Sequence, residues 1–175
     1  HVLVDPVLGD RGHIYPVFDH AMVTATRALI AKADIITPNL TEAALLLGQP
    51  YETLPAGEAG LREITERLSL GGRRSVVLTG ASLAPGRTGA VCFDARTGKT
   101  EAVQTAHEFH GTGDVFSSVL TGALVRGESL SSAAGEAAAF VRACAERTAA
   151  EDLPMREGVD FEPLLGLLIP GKETV

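Results

Sequence analysis

The stretch DIITPNLTEAALLLG, residues 34–48, contains a strand and the helix that follows it. Asp34 to Thr37 form a short strand that Pro38 stops. Thr41 is predicted as the N-cap of a helix through EAALLLG, and Gly48 ends this helix. A strand followed directly by a helix is the repeating unit of α/β folds, so similar units are expected on both sides of it.

Strands and helices of the same kind flank this unit. Val2 to Asp5 and Ser75 to Thr79 are short apolar runs typical of buried parallel strands. A helix over residues 18–32 is predicted from apolar side chains at helical spacing, Phe18, Met22, Ala25, Leu29 and Ile30. A helix from Glu58 to Leu70 is predicted from one apolar face, Leu61, Ile64 and Leu68.

The second half of the chain first switches to a strand pattern. Gly89 to Asp94 and Thr100 to Thr105 are predicted as two strands joined by the turn ARTGK. Helices over residues 112–126, 131–148 and 160–168 follow, and the whole order predicts an α/β sandwich. Because parallel sheets bind ligands beyond the carboxyl ends of their strands, one cleft is expected there. Three predicted strand ends carry polar residues: Asp5 with Asp10, Thr37 to Asn39, and Thr79 with Gly80.

The composition excludes several classes of protein. Of 175 residues, 45% are apolar and 21% charged, which suits one globular domain over residues 1–175 without a transmembrane helix. The net charge of −7 argues against broad binding of nucleic acid or of an anionic membrane. Cys92 and Cys144 lie far apart without CxxC spacing, which predicts free thiols in a reducing, cytoplasmic setting.

The sharpest chemical signal is Gly111-Thr112-Gly113-Asp114, which opens the predicted helix over residues 112–126. Glycines allow a tight turn with exposed N–H groups, and at the positive end of a helix these groups form an anion site suited to a phosphate. Asp114 lies in the first helical turn. It either caps the helix or acts as a general base beside the anion site, and the motif alone leaves both open.

Further acidic and amide groups follow the first two predicted strands. Asp5 and Asp10 flank the turn DPVLGD, where they either bind magnesium, often through water, or are solvated acids of an ordinary turn. Asn39 and Glu42 stand three residues apart across a helix start. They either form a capping arrangement or surround a metal-bound phosphate. Tyr15 either covers a ligand or belongs to a surface loop.

The segments DPVLGDRGHIY, ITPNLTEA and HGTGDVFSS occur in this order, each at a predicted strand end or helix start. Together they resemble the ribokinase-like superfamily and, within it, the pyridoxal kinases, from Val2 to about Phe161. The resemblance implies a three-layer α/β/α sandwich with a mostly parallel sheet and a small β lid. It also implies transfer of the ATP γ-phosphate to the 5′-hydroxymethyl group of pyridoxal, pyridoxamine or pyridoxine. Mg²⁺ is the implied metal ion, and a requirement for K⁺ is left open.

The same resemblance implies roles for individual residues. Asp114 corresponds to the base that deprotonates the substrate, and Gly111, Thr112 and Gly113 correspond to the anion hole for the phosphoryl group. A set of positions is implied to bind ATP: Asp10, Tyr15, Thr37, Asn39, Glu42, Thr79 and Gly80. The positions implied to lie near the metal are Asp5, Asp10 and Glu42.

Members of this family carry several strands and helices before the DPVLGD segment. The chain is therefore expected to be the C-terminal, nucleotide-binding part of a kinase whose intact form is a homodimer binding ATP and a small substrate. The nearest alternative is a hydroxymethylpyrimidine (phosphate) kinase of the same fold. Those kinases often have Cys where Asp114 stands, so Asp114 and the Gly9-Asp10 pair favour a pyridoxal kinase. A sugar or nucleoside kinase and a catalytically incompetent nucleotide-binding fragment also stay open.

Overall fold

The computed structural model describes residues 2–84, 87–104, 112–151 and 158–169. Its strands are β1 (Leu3–Val4), β2 (Gly9–Asp10), β3 (His13–Ile14), β4 (Ile35–Ile36), β5 (Ser75–Ala84), β6 (Arg87–Asp94) and β7 (Lys99–Gln104). Its α-helices are α1 (His20–Ile30), α2 (Leu40–Leu47), α3 (Gly57–Leu68), α4 (Thr112–Val125) and α5 (Leu130–Ala150). Short 3₁₀ helices cover Tyr51–Thr53 and Glu162–Leu168. None of the described helices has the length and apolarity needed to cross a membrane.

One five-stranded sheet forms the centre, in the order β1-β4-β5-β6-β7. Strands β1, β4 and β5 run parallel, with Leu3 opposite Ile35 and Ile35 opposite Ser75. Strands β5, β6 and β7 continue the sheet in antiparallel fashion. The predicted strands and the predicted hairpin are therefore confirmed, and the carboxyl ends of β1, β4 and β5 lie along one edge of the sheet.

Helices cover both faces of the sheet, because side chains along β5 alternate between two cores. Val77 packs with α4 and α5 in one core, and Val76 and Leu78 pack with α1, α2 and α3 in the other. All three side chains are fully buried. The result is a three-layer α/β/α sandwich, which confirms the predicted fold class.

The predicted helix over residues 18–32 is present as α1, and of the five apolar residues that predicted it, only Ile30 is buried in it. Val23, Thr26 and Ile30 are buried, whereas Met22 and Leu29 are 41% and 54% exposed. The helix contacts its layer through a single stripe at positions i, i+3 and i+7. A buried threonine interrupts the apolar character of that stripe, so counting apolar residues selects the neighbouring, exposed one.

Helix α2 begins before the predicted cap. Asn39 is the N-cap, and its side chain accepts a hydrogen bond from the Glu42 N–H, so the assignment of Thr41 as N-cap is wrong. The Thr41 hydroxyl instead accepts a hydrogen bond from the Gly12 N–H at 2.8 Å. Gly48 ends the helix in the left-handed conformation, as predicted.

Strand β5 is longer than predicted. Thr79 and Gly80 do not end it, because pairing with β6 resumes at Ala81 after a shift in register. Gly80 has a φ of 66° at this irregularity, a conformation that glycine adopts without steric cost. The strand therefore bends at the predicted end and continues into the antiparallel hairpin.

Both cysteines are buried and form no disulfide bond, as predicted. Burial raises the pKa of Cys92 to about 12 and also raises the pKa of Cys144. A thiol that stays protonated near neutral pH is a poor nucleophile. Neither cysteine is therefore a candidate for catalysis.

Candidate active site

The loop after β1 is a strained turn that folds back as a hairpin. Val7 has a φ of 44°, a left-handed conformation that is costly for a β-branched residue. Strands β2 and β3 then pair so closely that a Cβ on Gly9 would lie 2.3 Å from the His13 carbonyl oxygen. Asp5 and Asp10 stand at the two ends of this turn, and the hairpin itself was not predicted.

Buried Glu42 joins the hairpin loop to the start of α2. Its Oε1 accepts a hydrogen bond from the Leu8 N–H at 2.8 Å, and its Oε2 accepts one from the Asn39 N–H at 2.9 Å. Asn39 accepts from the Glu42 N–H and donates from Nδ2 to the Gly9 carbonyl oxygen, each at 2.9 Å. The capping arrangement is therefore present, and both carboxylate oxygens of Glu42 already accept backbone hydrogen bonds.

The pKa values of two acids at this edge, Glu42 and Asp5, are raised. Burial is the main reason that the pKa of Glu42 rises to about 7, and the charge of Asp5 acts in the same direction while backbone hydrogen bonds oppose it. Burial also raises the pKa of Asp5, and the charge of Asp114 adds to that rise. Clustered, partly buried carboxylates of this kind are stabilised by a bound cation.

Hydroxyl groups link Asp5 to helix α4. Thr37 Oγ1 donates to Asp5 Oδ1 at 3.0 Å, and the hydroxyl oxygens of Thr37 and Ser117 lie 3.1 Å apart. Burial raises the pKa of Asp5, and these two hydroxyls lower it. The ends of β1 and β4 therefore meet the second turn of α4 around one carboxylate.

Tyr15 follows the hairpin and lies close to the same acids. Its N–H donates to the Leu8 carbonyl oxygen at 3.0 Å, which closes the hairpin. Burial raises the pKa of the Tyr15 phenol, and four negative charges add to the rise, those of Asp10, Glu42, Asp114 and Asp5. The phenol is thus within electrostatic range of all four predicted acidic residues.

Thr79 and Gly80 complete this edge on the side of β5. The Thr79 N–H donates to the Pro38 carbonyl oxygen at 2.9 Å, and Asn39 and Thr79 form a parallel bridge. Thr79 is half-buried and Gly80 is exposed. All three predicted strand ends are therefore neighbours in space.

Helix α4 begins at Thr112, as predicted, and carries Asp114 in its first turn. Thr112 is half-buried, while Gly113 and Asp114 are exposed. A Cβ added at Gly113 would meet no atom of the residues that the structure describes within 4 Å. Gly111, the first residue of the predicted anion hole, lies outside the described residues.

A cavity of about 330 Å³ opens beside Asp114, between α4, α5 and the C-terminal 3₁₀ helix. Most of its lining is apolar, and Ser118 and Arg126 add polar groups. The apolar lining includes Val115, Val119, Phe140, Phe161 and Leu165. A carboxylate in the wall of an apolar cavity suits a proton acceptor for an organic alcohol.

The oxygen donors of this edge fit a magnesium ion held largely through water. Among the described residues, no three His, Cys, Asp or Glu side chains cluster closely enough to coordinate a metal ion directly. Mg²⁺ is commonly bound by one or two carboxylates together with water and substrate phosphates. Asp5 and Asp10 are carboxylates at this edge, and each Glu42 oxygen accepts one backbone hydrogen bond and keeps a second lone pair.

Two positioning contacts were missed by the sequence reading. Thr41 supports the hairpin through the Gly12 N–H, and Ser117 reaches Thr37 from helix α4. Both are buried polar residues inside otherwise apolar helical stretches. That interruption of an apolar face was the available signal, although it does not reveal which partner the hydroxyl bonds.

The sequence matches the family described as phosphomethylpyrimidine kinase over residues 1–158. A pyridoxine/pyridoxal/pyridoxamine kinase of Bordetella bronchiseptica is 37% identical over a match that covers 84% of this chain and 52% of that protein. A hydroxymethylpyrimidine/phosphomethylpyrimidine kinase of Bacillus subtilis is 28% identical over 84% of this chain and 54% of that protein. The chain spans about half the length of these curated relatives.

A solved structure resembles the fold closely. A Bacteroides thetaiotaomicron protein, crystallised in a form with pyridoxal, superposes with a TM-score of 0.89 at 36% identity. The superposition covers 98% of this chain and 62% of that one. The three-layer arrangement described above is thus shared with a protein that has been crystallised with pyridoxal.

Proposed function

Since the chain belongs to the phosphomethylpyrimidine kinase family, within the ribokinase-like superfamily, we propose that the protein transfers the γ-phosphoryl group of ATP to the 5′-hydroxymethyl group of pyridoxal, pyridoxamine or pyridoxine. The observation that carries this proposal is that the ends of β1 and β4 meet helix α4 around Asp5, through the hydroxyls of Thr37 and Ser117. Phosphoryl transfer depends mainly on alignment and on charge stabilisation, and this edge offers groups for both.

In this proposal Asp114 is the general base. An alcohol is a poor nucleophile until its proton leaves, and Asp114 is an exposed carboxylate that also lines the apolar cavity. Asp114 accepts the hydroxyl proton as the alcohol oxygen bonds to the γ-phosphorus. The bond between that phosphorus and the bridging oxygen breaks, and ADP leaves with the electron pair.

The start of α4 is proposed to hold the phosphoryl group. The first N–H groups of a helix point toward its N-terminus, and an anion there interacts with them and with the positive end of the helix dipole. Thr112 and Gly113 contribute these groups, and no atom of the described residues would lie within 4 Å of a Cβ at Gly113. Gly111 is proposed as the third member on the strength of the sequence motif alone.

The remaining strand ends are proposed to bind MgATP. Mg²⁺ supplies charge neutralisation when bound, and Asp5 and Asp10 would hold it, with Glu42 acting through water. Four residues are proposed to lie near the nucleotide phosphates or a monovalent ion such as K⁺: Thr37, Asn39, Thr79 and Gly80. Tyr15 would close over the nucleotide. The support is that these residues line one edge of the sheet.

Residues 1–175 are proposed to act as one nucleotide-binding ribokinase-like domain. Its continuous central sheet supports this, because both cores pack against the same strands. A cytoplasmic location is supported by the two free, buried thiols. A homodimer is proposed from the family resemblance.

A coupled assay of ADP release by the full protein tests the proposed activity. The acceptors are pyridoxal, pyridoxamine, pyridoxine, hydroxymethylpyrimidine and ribose, each with MgATP. We expect turnover with the three B6 vitamers to exceed turnover with the other acceptors. Preference for hydroxymethylpyrimidine would replace the proposal with its nearest alternative, which the Bacillus subtilis relative favours.

A nucleotide-binding protein without catalysis is the second alternative. Calorimetric titration of MgATP onto the same preparation separates it from an enzyme. Binding of MgATP with no turnover of any acceptor would support that alternative. Absence of binding in a cooperatively folded chain would contradict both readings.

A further inference from the structure

Ser117 is a buried polar residue that the proposed chemistry does not use. It is 8% exposed and lies on the sheet-facing side of α4, where Phe116 and Leu120 belong to the core. A buried hydroxyl needs a hydrogen-bond partner, because leaving it without one costs free energy. Its partners are the hydroxyl of Thr37, at the end of β4, and the carboxylate of Asp5, after β1.

The two hydroxyls share one carboxylate. Thr37 has one hydroxyl hydrogen, and it donates that hydrogen to Asp5 Oδ1. The Ser117 hydroxyl lies 3.1 Å from that of Thr37 and also hydrogen-bonds Asp5, where both hydroxyls lower the pKa of the carboxyl. Ser117 therefore belongs to one hydrogen-bonded cluster with Thr37 and Asp5, in which the bonds polarise one another.

The bond crosses between two layers of the fold. Thr37 is fixed on the sheet, since its N–H donates to the Val4 carbonyl oxygen at 3.3 Å. Ser117 lies three residues after Asp114, within the first two turns of α4. Apolar packing against the core allows a helix to slide or rotate slightly, whereas a directional hydrogen bond at 3.1 Å fixes its register.

We propose that Ser117 is a positioning residue, whose hydrogen bond to Thr37 sets the register of α4 on the sheet and thereby the place of Asp114. The proposal rests on the proposed kinase function for its catalytic consequence, and on the hydrogen bond itself for its structural one. Misplacing a catalytic group by about 1 Å costs up to roughly a hundredfold in rate. Removing the hydroxyl is therefore expected to lower kcat far more than it changes KM.

The test compares Ser117→Ala with Ser69→Ala in the full protein. Ser69 is a matched control because it is also a buried serine, 2% exposed, whose hydroxyl donates to the Glu66 carbonyl oxygen and accepts from the Gly72 N–H. It lies before β5, at the opposite end of the strands from the site. Both variants lose one buried hydroxyl, and only one of them loses the link between α4 and the sheet.

We expect Ser117→Ala to lower kcat by at least roughly tenfold, with KM for MgATP and for pyridoxal changed by less than about threefold. Ser69→Ala should keep kcat within about twofold of wild type at a similar loss in melting temperature. Ser117→Thr, which retains the hydroxyl, should recover most of the lost kcat. Equal kcat in the Ser117→Ala variant and the wild type would overturn the proposal.

A second readout does not depend on activity. Amide hydrogen exchange at residues 116–120 reports how firmly the start of α4 is held. Exchange there should be faster in Ser117→Ala than in Ser69→Ala by at least roughly tenfold, since the opening is local. If the wild-type protein phosphorylates none of the acceptors, the proposed function fails, and this exchange ratio alone decides the role of Ser117. Equal exchange in the two variants would overturn it.

Discussion

The two sides of the candidate site are built in different ways. On the side of β1 and β4, Glu42 and Asn39 join the DPVLGD loop to helix α2 through two hydrogen bonds of 2.8 and 2.9 Å, and two more of 2.9 Å hold the start of α2 itself. On the side of α4, Asp114 is exposed at a helix start. The difference indicates that the side of β1 and β4, where metal binding is proposed, is preorganised by folding, while the exposed side of α4 carries the proposed base.

The largest expected effect is on kcat, from a substitution of Asp114 on the side of α4. Asp114→Asn removes the proton acceptor while keeping the shape of the side chain. We expect kcat to fall by roughly 10²- to 10⁴-fold, with MgATP affinity nearly unchanged. Steady-state kinetics and calorimetry measure the two quantities.

The matched control for this variant is Asp19→Asn. Asp19 is the N-cap of α1, and its Oδ1 accepts from the Met22 N–H at 3.0 Å, a role that asparagine also fills. The control should retain wild-type kcat. Near-normal turnover in a folded Asp114→Asn protein would remove Asp114 from the chemistry.

Substitutions on the side of β1 and β4 should lower the stability of the fold more than they change the rate of the reaction. Glu42→Ala leaves the buried Leu8 and Asn39 N–H groups without their acceptors. We expect the free energy of unfolding to fall by about 2 to 5 kcal/mol, since each unsatisfied buried donor costs roughly 1 to 3 kcal/mol. Urea denaturation measures it, and Glu63→Ala on the exposed surface of α3 is the control. Equal midpoints for the two variants would contradict the anchoring role.

The same anchor should give stability a pH dependence. The pKa of Glu42 is about 7 in the folded chain against 4.5 for an ordinary glutamate, so the folded state binds a proton that the unfolded state lacks in this range. The free energy of unfolding should therefore fall as pH rises from 4.5 through about 7, by roughly 2 to 3 kcal/mol from this group.

Glu42→Gln cannot titrate and provides the reference for that measurement. The stability of the wild type relative to Glu42→Gln should decline with rising pH across the same window. Denaturation series at closely spaced pH values show the trend, and Glu63→Gln serves as a surface control. If the free energies of unfolding of the wild type and of Glu42→Gln change with pH in parallel, burial does not raise the pKa of Glu42.

The smallest expected effect is on thermal stability, from substitutions of Asn39 on the side of β1 and β4. Asn39→Ala removes the N-cap of α2 and the bond to the Gly9 carbonyl oxygen. Loss of an N-cap costs about 1 kcal/mol, and Asn39→Ser, which can still cap, should recover most of it. Thermal melting distinguishes the two variants. A serine variant as unstable as the alanine variant would show that the bond to Gly9 carries the effect.

Local sequence patterns were sufficient to predict the layered fold. Strand runs such as SVVLT and helix punctuation such as Gly48 depend on nearby residues, and the structure confirms both. Contacts across the sheet were harder to predict. Thr41 was placed as a cap because a threonine before an acidic helix start fits that role, yet its hydroxyl accepts from Gly12 in a hairpin distant in sequence.

The candidate site divides in the same way. The motifs DPVLGD and TPNLTE marked residues that lie at one sheet edge, because glycine, proline and acidic residues are common at strand ends. The motif GTGD marked the start of α4, and its first glycine lies outside the described residues. Which residues of α1 are buried depends on how this helix packs against its neighbours. One of the buried residues is a threonine, which a search for apolar side chains does not select. The partner of Ser117 depends on how α4 lies on β4, which is a tertiary property.

The burial of Cys92 and Cys144 has a practical consequence for labelling. Maleimide dyes react with ionised, accessible thiols, and these two are neither, so the native chain offers a nearly silent background. A single cysteine introduced at exposed Val17, just beyond the β2–β3 hairpin, could carry a fluorophore without removing the natural cysteines. The hairpin's response to nucleotide would then be readable as fluorescence.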